Sequence, residues 1–219
     1  MTILNKNDAN YYHNERKALS AHIPAGTQKI LDVGCGAGYF GAYLKKNAKA
    51  TQVFGIELMK DAAAEASTYL DGVICADLDV FDLSSLHSAW GECAFDFVVC
   101  ADVLEHVKNP WAMLASLAGF IKPGGKLIVS IPNVRHWSVV LPLVFGGRWD
   151  YQDAGIMDRT HLRFFTKSTA SELIFRAGFC LSSVSPLIGG RWRVLSRMSG
   201  HLLDEFLAIQ YVFVAKRNE

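Results

Sequence analysis

No apolar run in this chain is long enough to cross a bilayer, no two cysteines form a C-x-x-C pair, and the charges nearly cancel. Each absence excludes a class of protein. A membrane-spanning helix needs roughly 20 consecutive apolar residues, so none is expected. Cys35, Cys75, Cys93, Cys100 and Cys180 lack zinc-ligand spacing and mostly sit in apolar runs. That pattern predicts reduced, buried thiols in a cytoplasmic protein and no metal site. With 22 Lys and Arg against 21 Asp and Glu the formal net charge is +1, so no general nucleic-acid surface is expected. Met1 to Asn14 is polar and lacks the apolar centre of a signal peptide. No repeat, low-complexity segment or compositional break marks a second domain, and 51% hydrophobic residues among 219 supply one large core.

Strand-like and helix-like segments alternate, which predicts an α/β fold: a parallel sheet with helices on both faces. Strands are expected at Ile30–Val33, Gln52–Ile56, Gly72–Ala76, Phe95–Ala101 and Lys126–Ile131, with a final pair at Phe179–Val184 and Tyr211–Ala215. The fourth is almost wholly apolar, as a strand buried on both faces should be. Helices are expected over Phe40–Lys46, Met59–Tyr69, Pro110–Phe120 and Ser168–Ala177, and within Leu4–Ile23 ahead of the first strand. Lys122-Pro123-Gly124-Gly125 reads as a turn. Two stretches break the rhythm. Pro132–Lys167 is too long for a βα connection and reads as a functional insertion rich in Trp, Tyr, His and Arg. Gly189–Gln210 is the other, with Arg191, Trp192, Arg193 and Arg197.

The most informative run is Lys29-Ile-Leu-Asp-Val-Gly-Cys-Gly-Ala-Gly38. It reads as a buried strand, a glycine loop and a helix start, where unpaired N–H groups and a positive dipole end meet a ligand. Gly34, Gly36 and Gly38 fit G-x-G-x-G, while Gly36, Gly38 and Gly41 fit the dinucleotide pattern G-x-G-x-x-G, so the loop alone leaves the ligand open. Glu57 ends the second strand, where a carboxylate can accept both hydroxyls of a ribose; this role too is shared by dinucleotide-binding proteins.

Three segments, the glycine loop among them, carry a resemblance. Leu31-Asp-Val-Gly-Cys-Gly-Ala-Gly38, Ala101-Asp-Val-Leu-Glu-His-Val107 and Ile121-Lys-Pro-Gly-Gly-Lys-Leu127 stand in order, at the spacing of class I S-adenosylmethionine-dependent methyltransferases. The chain resembles that family, within the group of the ubiquinone-pathway O-methyltransferases. Arg159-Thr-His-Leu-Arg-Phe-Phe-Thr166 is similar to methyltransferases that modify bacterial cell envelopes and sugars. The resemblance implies a doubly wound, Rossmann-like, seven-stranded sheet with its last strand antiparallel, and S-adenosylmethionine as cofactor. It implies methyl transfer to a small-molecule, lipid-linked or sugar-linked acceptor, at oxygen. The cofactor-binding residues it implies are Tyr12, Arg16, Asp32, Gly34, Cys35, Gly36, Gly38, Glu57, Leu58, Asp77, Leu78, Ala101, Asp102 and Val103.

Several of these residues carry an alternative. Asp32 can hold the loop amides and attract the donor's ammonium, or simply cap a helix. Asp77 matches the residue that accepts the adenine amino group, with Asp79 and Asp82 as neighbours able to compete. Asp102 and Glu105 have the spacing of a capping box. His106 is a general base or a structural histidine. His161 and Arg163, on the insertion, are expected over the reacting sulfonium. Arg148, Arg159 and Arg163 can grip an anionic acceptor or pair with Asp153 or Asp158. Tyr11, Tyr12 and Arg16 cover the cofactor or are solvated helix residues. Leu141–Phe145 with Trp149 packs as a lid or touches a lipid-linked substrate or membrane surface. The competing functions are an NAD-linked oxidoreductase, from the overlapping glycine pattern, and a cofactor-binding protein without activity.

Overall fold

The computed structural model describes residues 16, 18–90 and 95–217. Its strands are β1 (Thr27–Val33), β2 (Ala50–Glu57), β3 (Gly72–Cys75), β4 (Phe95–Ala101), β5 (Ile121–Pro132), β6 (Phe179–Ile188) and β7 (Ala208–Arg217). Residues 16 and 18–20 are helical, and after them come α1 (Tyr39–Lys46), α2 (Lys60–Ala66), α3 (Leu86–Trp90), α4 (Pro110–Ala118), α5 (Trp137–Gly146), α6 (Lys167–Arg176), α7 (Trp192–Met198) and α8 (Asp204–Leu207). The strands form one seven-stranded sheet in the order β3-β2-β1-β4-β5-β7-β6. β1 to β5 pair in parallel, and β7 runs antiparallel between β5 and β6. This is the doubly wound α/β sheet with a reversed last strand that the resemblance implies.

Period-two alternation sorts the strand residues into two cores, one on each face. Leu31, Val33, Val98, Cys100, Leu127 and Val129 point into one cluster. Ile30, Val53, Val99 and Ile128 point into the other. Because both faces are covered, the central strands are apolar throughout rather than alternating. Strand order reverses between β1 and β4, and a cleft opens outside the carboxyl ends of strands at such a point.

The structure adds helices at Leu86–Trp90 and Trp137–Gly146 and differs from expectation elsewhere as well. The Lys122–Gly125 turn does not precede β5; it is a bulge within it, since Phe95 pairs with Ile121 and Phe97 with Lys126. Gly124 supplies the left-handed conformation, φ 78°, and Lys122 Nζ ties the bulge to Asp96 Oδ1 at 2.8 Å. The last two strands are longer than the apolar runs suggest, because antiparallel pairing continues until Ile188 meets Ala208. Gly189–Leu207 thereby becomes the connection of a long hairpin, holding α7 and α8. Finally, Cys35 and Cys100 are buried, but Cys75 and Cys180 are exposed. Their strands lie toward the two ends of the sheet, where alternation turns one face to solvent.

Candidate active site

A cleft of about 960 Å³ opens at the carboxyl ends of β1, β2 and β4. Its floor is the glycine loop. Gly34 and Cys35 donate their N–H groups to the Ile56 carbonyl at 2.8 and 3.0 Å, which stitches the loop to β2. Gly36 donates to Glu57 Oε2 at 2.9 Å, and Met59 donates to Glu57 Oε1 at 2.9 Å. Glu57 therefore clamps the loop, and as a cleft-lining carboxylate it keeps acceptor capacity beyond these two bonds.

The glycines divide by environment. Gly36 has φ 55°, and a Cβ there would meet nothing within 4 Å, so its bare face opens on the cleft. A Cβ on Gly34 would strike Val103 Cγ2 at 2.6 Å, so this glycine lets the loop after β4 pass close by. Gly38 was expected to touch the cofactor; instead a Cβ there would come within 2.9 Å of the Ala66 backbone, and Gly38 is not among the cleft-lining residues. Gly41, third in the dinucleotide pattern, packs α1 against Leu70 and Val53 inside the core.

Asp32 also departs from expectation. It is buried, does not line the cleft, and takes no hydrogen bond from the described residues; the loop amides go to Ile56 and Glu57. Its carboxylate faces Arg16 Nη1 at 3.9 Å, and Arg16, in helical backbone ahead of β1, lines the cleft. Burial pushes the Asp32 carboxyl up to about 6; Arg16 opposes that shift and Glu57 adds to it. Tyr12, like Tyr11, lies outside the described residues.

Beyond Glu57, the exposed side chains of Leu58 and Met59 make an apolar wall. Asp77 and Leu78 complete it after β3. Asp77 Oδ1 accepts the Asp79 N–H at 2.9 Å. Asp79 is occupied differently, accepting the Lys108 N–H at 2.8 Å and so tying the loop after β3 to the loop after β4. Asp82 caps the turn at Leu83–Ser85 and lies away from this cleft.

The opposite wall comes from Ala101, Asp102, Val103, Glu105 and His106. Asp102 has φ 56°, rare for a residue with a side chain, and its Oδ1 accepts from Ser130 Oγ at 3.2 Å and from Gln210 Nε2. It is not a helix cap: the turn at Leu104–His106 has Val103 at that position, without a side-chain hydrogen bond. Glu105 is not a capping partner either but is buried, and its backbone carbonyl accepts the N–H groups of Leu162 and Arg163 at 2.8 and 3.0 Å. That pair of bonds pulls the insertion over the cleft, and an Asn133–Phe165 bridge closes the insertion at its base.

Here the structure unites residues far apart in the chain. The rings of His106 and His161 stand edge to face, 4.7 Å between centroids. His106 Nδ1 lies 3.2 Å from the Thr160 carbonyl and His161 Nδ1 lies 3.0 Å from the Ile156 carbonyl. A carbonyl oxygen only accepts, so each neutral ring carries its hydrogen on Nδ1 and presents Nε2 as the acceptor nitrogen. Glu105, His106 and His161 offer ligand-capable atoms all within 4.8 Å of one another, a grouping their chain separation hides. Asp158, expected as a partner for an arginine, and Thr160, which was not anticipated, join this group: Asp158 Oδ1 accepts from Thr160 N and Oγ1 at 2.8 and 2.6 Å, which positions Thr160 beside His106. Arg163, expected with His161, is not in the cleft; Nη2 donates to the Lys108 carbonyl at 2.7 Å and pins the insertion down. Arg159 pairs with Asp153 and Arg148 with Asp150, both at 2.7 Å, so neither is a lone anion receptor.

Residues 5–184 match the family described as a methyltransferase domain. A ubiquinone biosynthesis O-methyltransferase of Xanthomonas axonopodis pv. citri (strain 306) is 28% identical over 193 residues, covering 87% of this chain and 78% of that protein. In fold, an S-adenosylmethionine-dependent methyltransferase from Mesorhizobium loti superposes with TM-score 0.63 at 19% identity, covering 92% of this chain and 96% of that one. The N-methyltransferase NodS of Bradyrhizobium japonicum WM9, solved with S-adenosylhomocysteine, gives TM-score 0.61 at 15% identity over 98% of this chain and 90% of its own. The cleft fits such a cofactor on its own terms: a bare glycine face, a carboxylate at the end of β2 and an apolar wall ending in Asp77. The chain belongs to the methyltransferase domain family and is an S-adenosylmethionine-dependent methyltransferase.

Proposed function

We propose that the protein methylates an oxygen nucleophile on a small-molecule, lipid-linked or sugar-linked acceptor. The observation that carries this is the His106–His161 pair, with both Nδ1 atoms held by backbone carbonyls and both rings lining the cleft on the side of the insertion. An imidazole so oriented takes the hydroxyl proton at Nε2 as the oxygen becomes nucleophilic. The name of the Xanthomonas relative, an O-methyltransferase, supports oxygen as the accepting atom.

In this reading Glu57 holds the ribose hydroxyls and Leu58, Met59, Asp77 and Leu78 hold the adenine. The loop at Gly34–Gly36, Arg16 and the strand end at Ala101–Val103 border the methionine part. When bound, S-adenosylmethionine supplies an electrophilic methyl group on a sulfonium sulfur. The acceptor oxygen is presented in line by the wall from Pro132, Ile156, His161 and Gln210, and alignment itself lowers the barrier. The insertion, pinned through Glu105 and Arg163, limits water on that side.

The test is transfer of labelled methyl from S-adenosylmethionine to matched panels of hydroxyl, amine and carbon-nucleophile acceptors. Product methylated at oxygen, lost in the His106→Asn, His161→Asn double variant while S-adenosylhomocysteine binding is kept, supports the reading. Turnover confined to amines overturns it.

A further inference from the structure

The helix α5 has no counterpart in the chemistry above. Its sequence, Trp137-Ser-Val-Val-Leu-Pro-Leu-Val-Phe-Gly146, contains no charged residue. Every residue from 141 to 150 is exposed, with Val144 at 66% and Phe145 at 83%. Nor does the helix stand alone. Trp137 at its start packs on Trp192 at the start of α7, 5.5 Å between ring centroids. α7 and the turn after it expose Val194, Met198 and Leu202 at 61%, 80% and 84%. Two adjoining elements thus present large apolar side chains to solvent, more than scattered surface residues account for.

On α7 and the residue before it the charges have one sign, while Asp150 at the far end of the exposed run is paired with Arg148 and Asp204 accepts from Ser196 Oγ. Arg191, Arg193 and Arg197 are exposed, and no carboxylate among the described residues lies within ion-pair distance of them. From residue 177 to 203 the sequence has no Asp or Glu at all. By contrast Arg135, Arg148 and Arg159, on the insertion, each have a carboxylate partner. Exposed apolar residues beside uncompensated guanidinium groups match the two layers of an anionic membrane surface: acyl chains below, phosphate above.

We propose that the α5–α7 face docks on an anionic lipid bilayer. Ten residues of helix extend about 15 Å, half the hydrocarbon thickness, so α5 lies in the interface and does not cross it. A second copy of this chain is the poorer occupant, because a two-fold contact over the same face brings its arginine cluster against itself without an acid in that stretch to offset it. The segments bearing the face are rooted at the acceptor wall: Pro132 precedes α5, and Ile209 and Gln210 follow α8, all three lining the cleft. A docked bilayer therefore lies on the acceptor side and away from the adenine side.

The experiment is flotation of the full chain with vesicles of phosphatidylcholine alone, or of phosphatidylcholine and phosphatidylglycerol in equal parts. The expected result is binding to the mixed vesicles, weakened by salt, with little on the neutral ones. Arg191→Gln with Arg197→Gln should lower the partition roughly 25-fold, at about fivefold per arginine. Phe145→Ser with Val144→Ser should lower it by at least a similar factor. Both variants should keep the wild-type melting temperature and S-adenosylhomocysteine affinity; that calorimetry tests the cofactor reading separately, so the two can fail independently. No binding of wild type to mixed vesicles at low salt overturns the proposal. So does binding that neither variant reduces. A dimer in light scattering that Phe145→Ser dissociates, without vesicle binding, assigns the face to a second copy instead.

Discussion

Glu57 accepts the N–H of Gly36 with one carboxylate oxygen and the N–H of Met59 with the other, both at 2.9 Å. In the proposed reading, the group that holds the ribose thus also fixes the loop that lies under the methionine part. Binding and loop order are coupled through one side chain, and the consequences of changing it follow from both roles.

Glu57→Ala should weaken S-adenosylhomocysteine by about 1.5–3 kcal/mol, the range for hydrogen bonds to a charged group, and lower the melting temperature of the free protein as well. Calorimetry and thermal unfolding measure the two effects. Asp79→Ala should mainly cost stability, since its carboxylate holds the Lys108 N–H. An unchanged affinity in Glu57→Ala would remove the carboxylate from the cofactor site.

Gly36 and Gly38 should fail in different ways. Gly36→Val puts a branched side chain into the cleft and strains a φ of 55°, so the sheet should form while cofactor affinity collapses. Gly38→Ala meets the Ala66 backbone at 2.9 Å, so its first effect should be a lower melting temperature. Titration of both purified variants separates the outcomes, and equal affinity loss without destabilisation in Gly38→Ala contradicts the packing role.

His161→Asn should lower methyl transfer while leaving S-adenosylhomocysteine affinity within a few-fold of wild type. The deficit should shrink as pH rises, because a more ionised acceptor needs less help losing its proton. Arg163→Ala, which removes a bond to the Lys108 carbonyl, should act through the insertion, costing about 1 kcal/mol of stability and less activity. A pH-independent deficit in His161→Asn favours alignment over proton transfer.

Asp32 should set a pH dependence of stability. Its carboxyl is raised from 3.8 to about 6 in the folded chain, so the native state holds the proton more tightly than the unfolded state. Stability from this group is full below pH 4 and is lost as pH rises through about 6, a difference on the order of 3 kcal/mol. His136, lowered by burial from 6.5 to about 4, acts in the opposite sense: its contribution is present above 6.5 and lost as pH falls through 4. The two slopes oppose each other between pH 4 and 6. Asp32→Asn should unmask the histidine slope in denaturant titrations across that range, and identical profiles for both proteins would refute it.

Local chemistry made the cofactor half of the molecule legible in the amino-acid sequence. Apolar runs of strand length alternating with helix-like segments mark central strands, and glycines just past a strand end mark a close approach of backbone or ligand. The order β1 to β5 and the places of Gly36, Glu57 and Asp77 therefore follow from neighbours in the chain. Tertiary structure decided what depends on distant partners. Whether a glycine faces a ligand or a helix is settled by Ala66 for Gly38 and by open space for Gly36. Asp32 does not take the loop amides, because those go to Ile56 and Glu57 while its own carboxylate faces Arg16. His106 meets His161 only because Glu105 anchors the insertion through backbone bonds, which no side-chain pattern encodes. The exposed face of α5 likewise joins the arginines of α7 through Trp137 and Trp192, since long-range packing, not spacing along the chain, brings those two helices together.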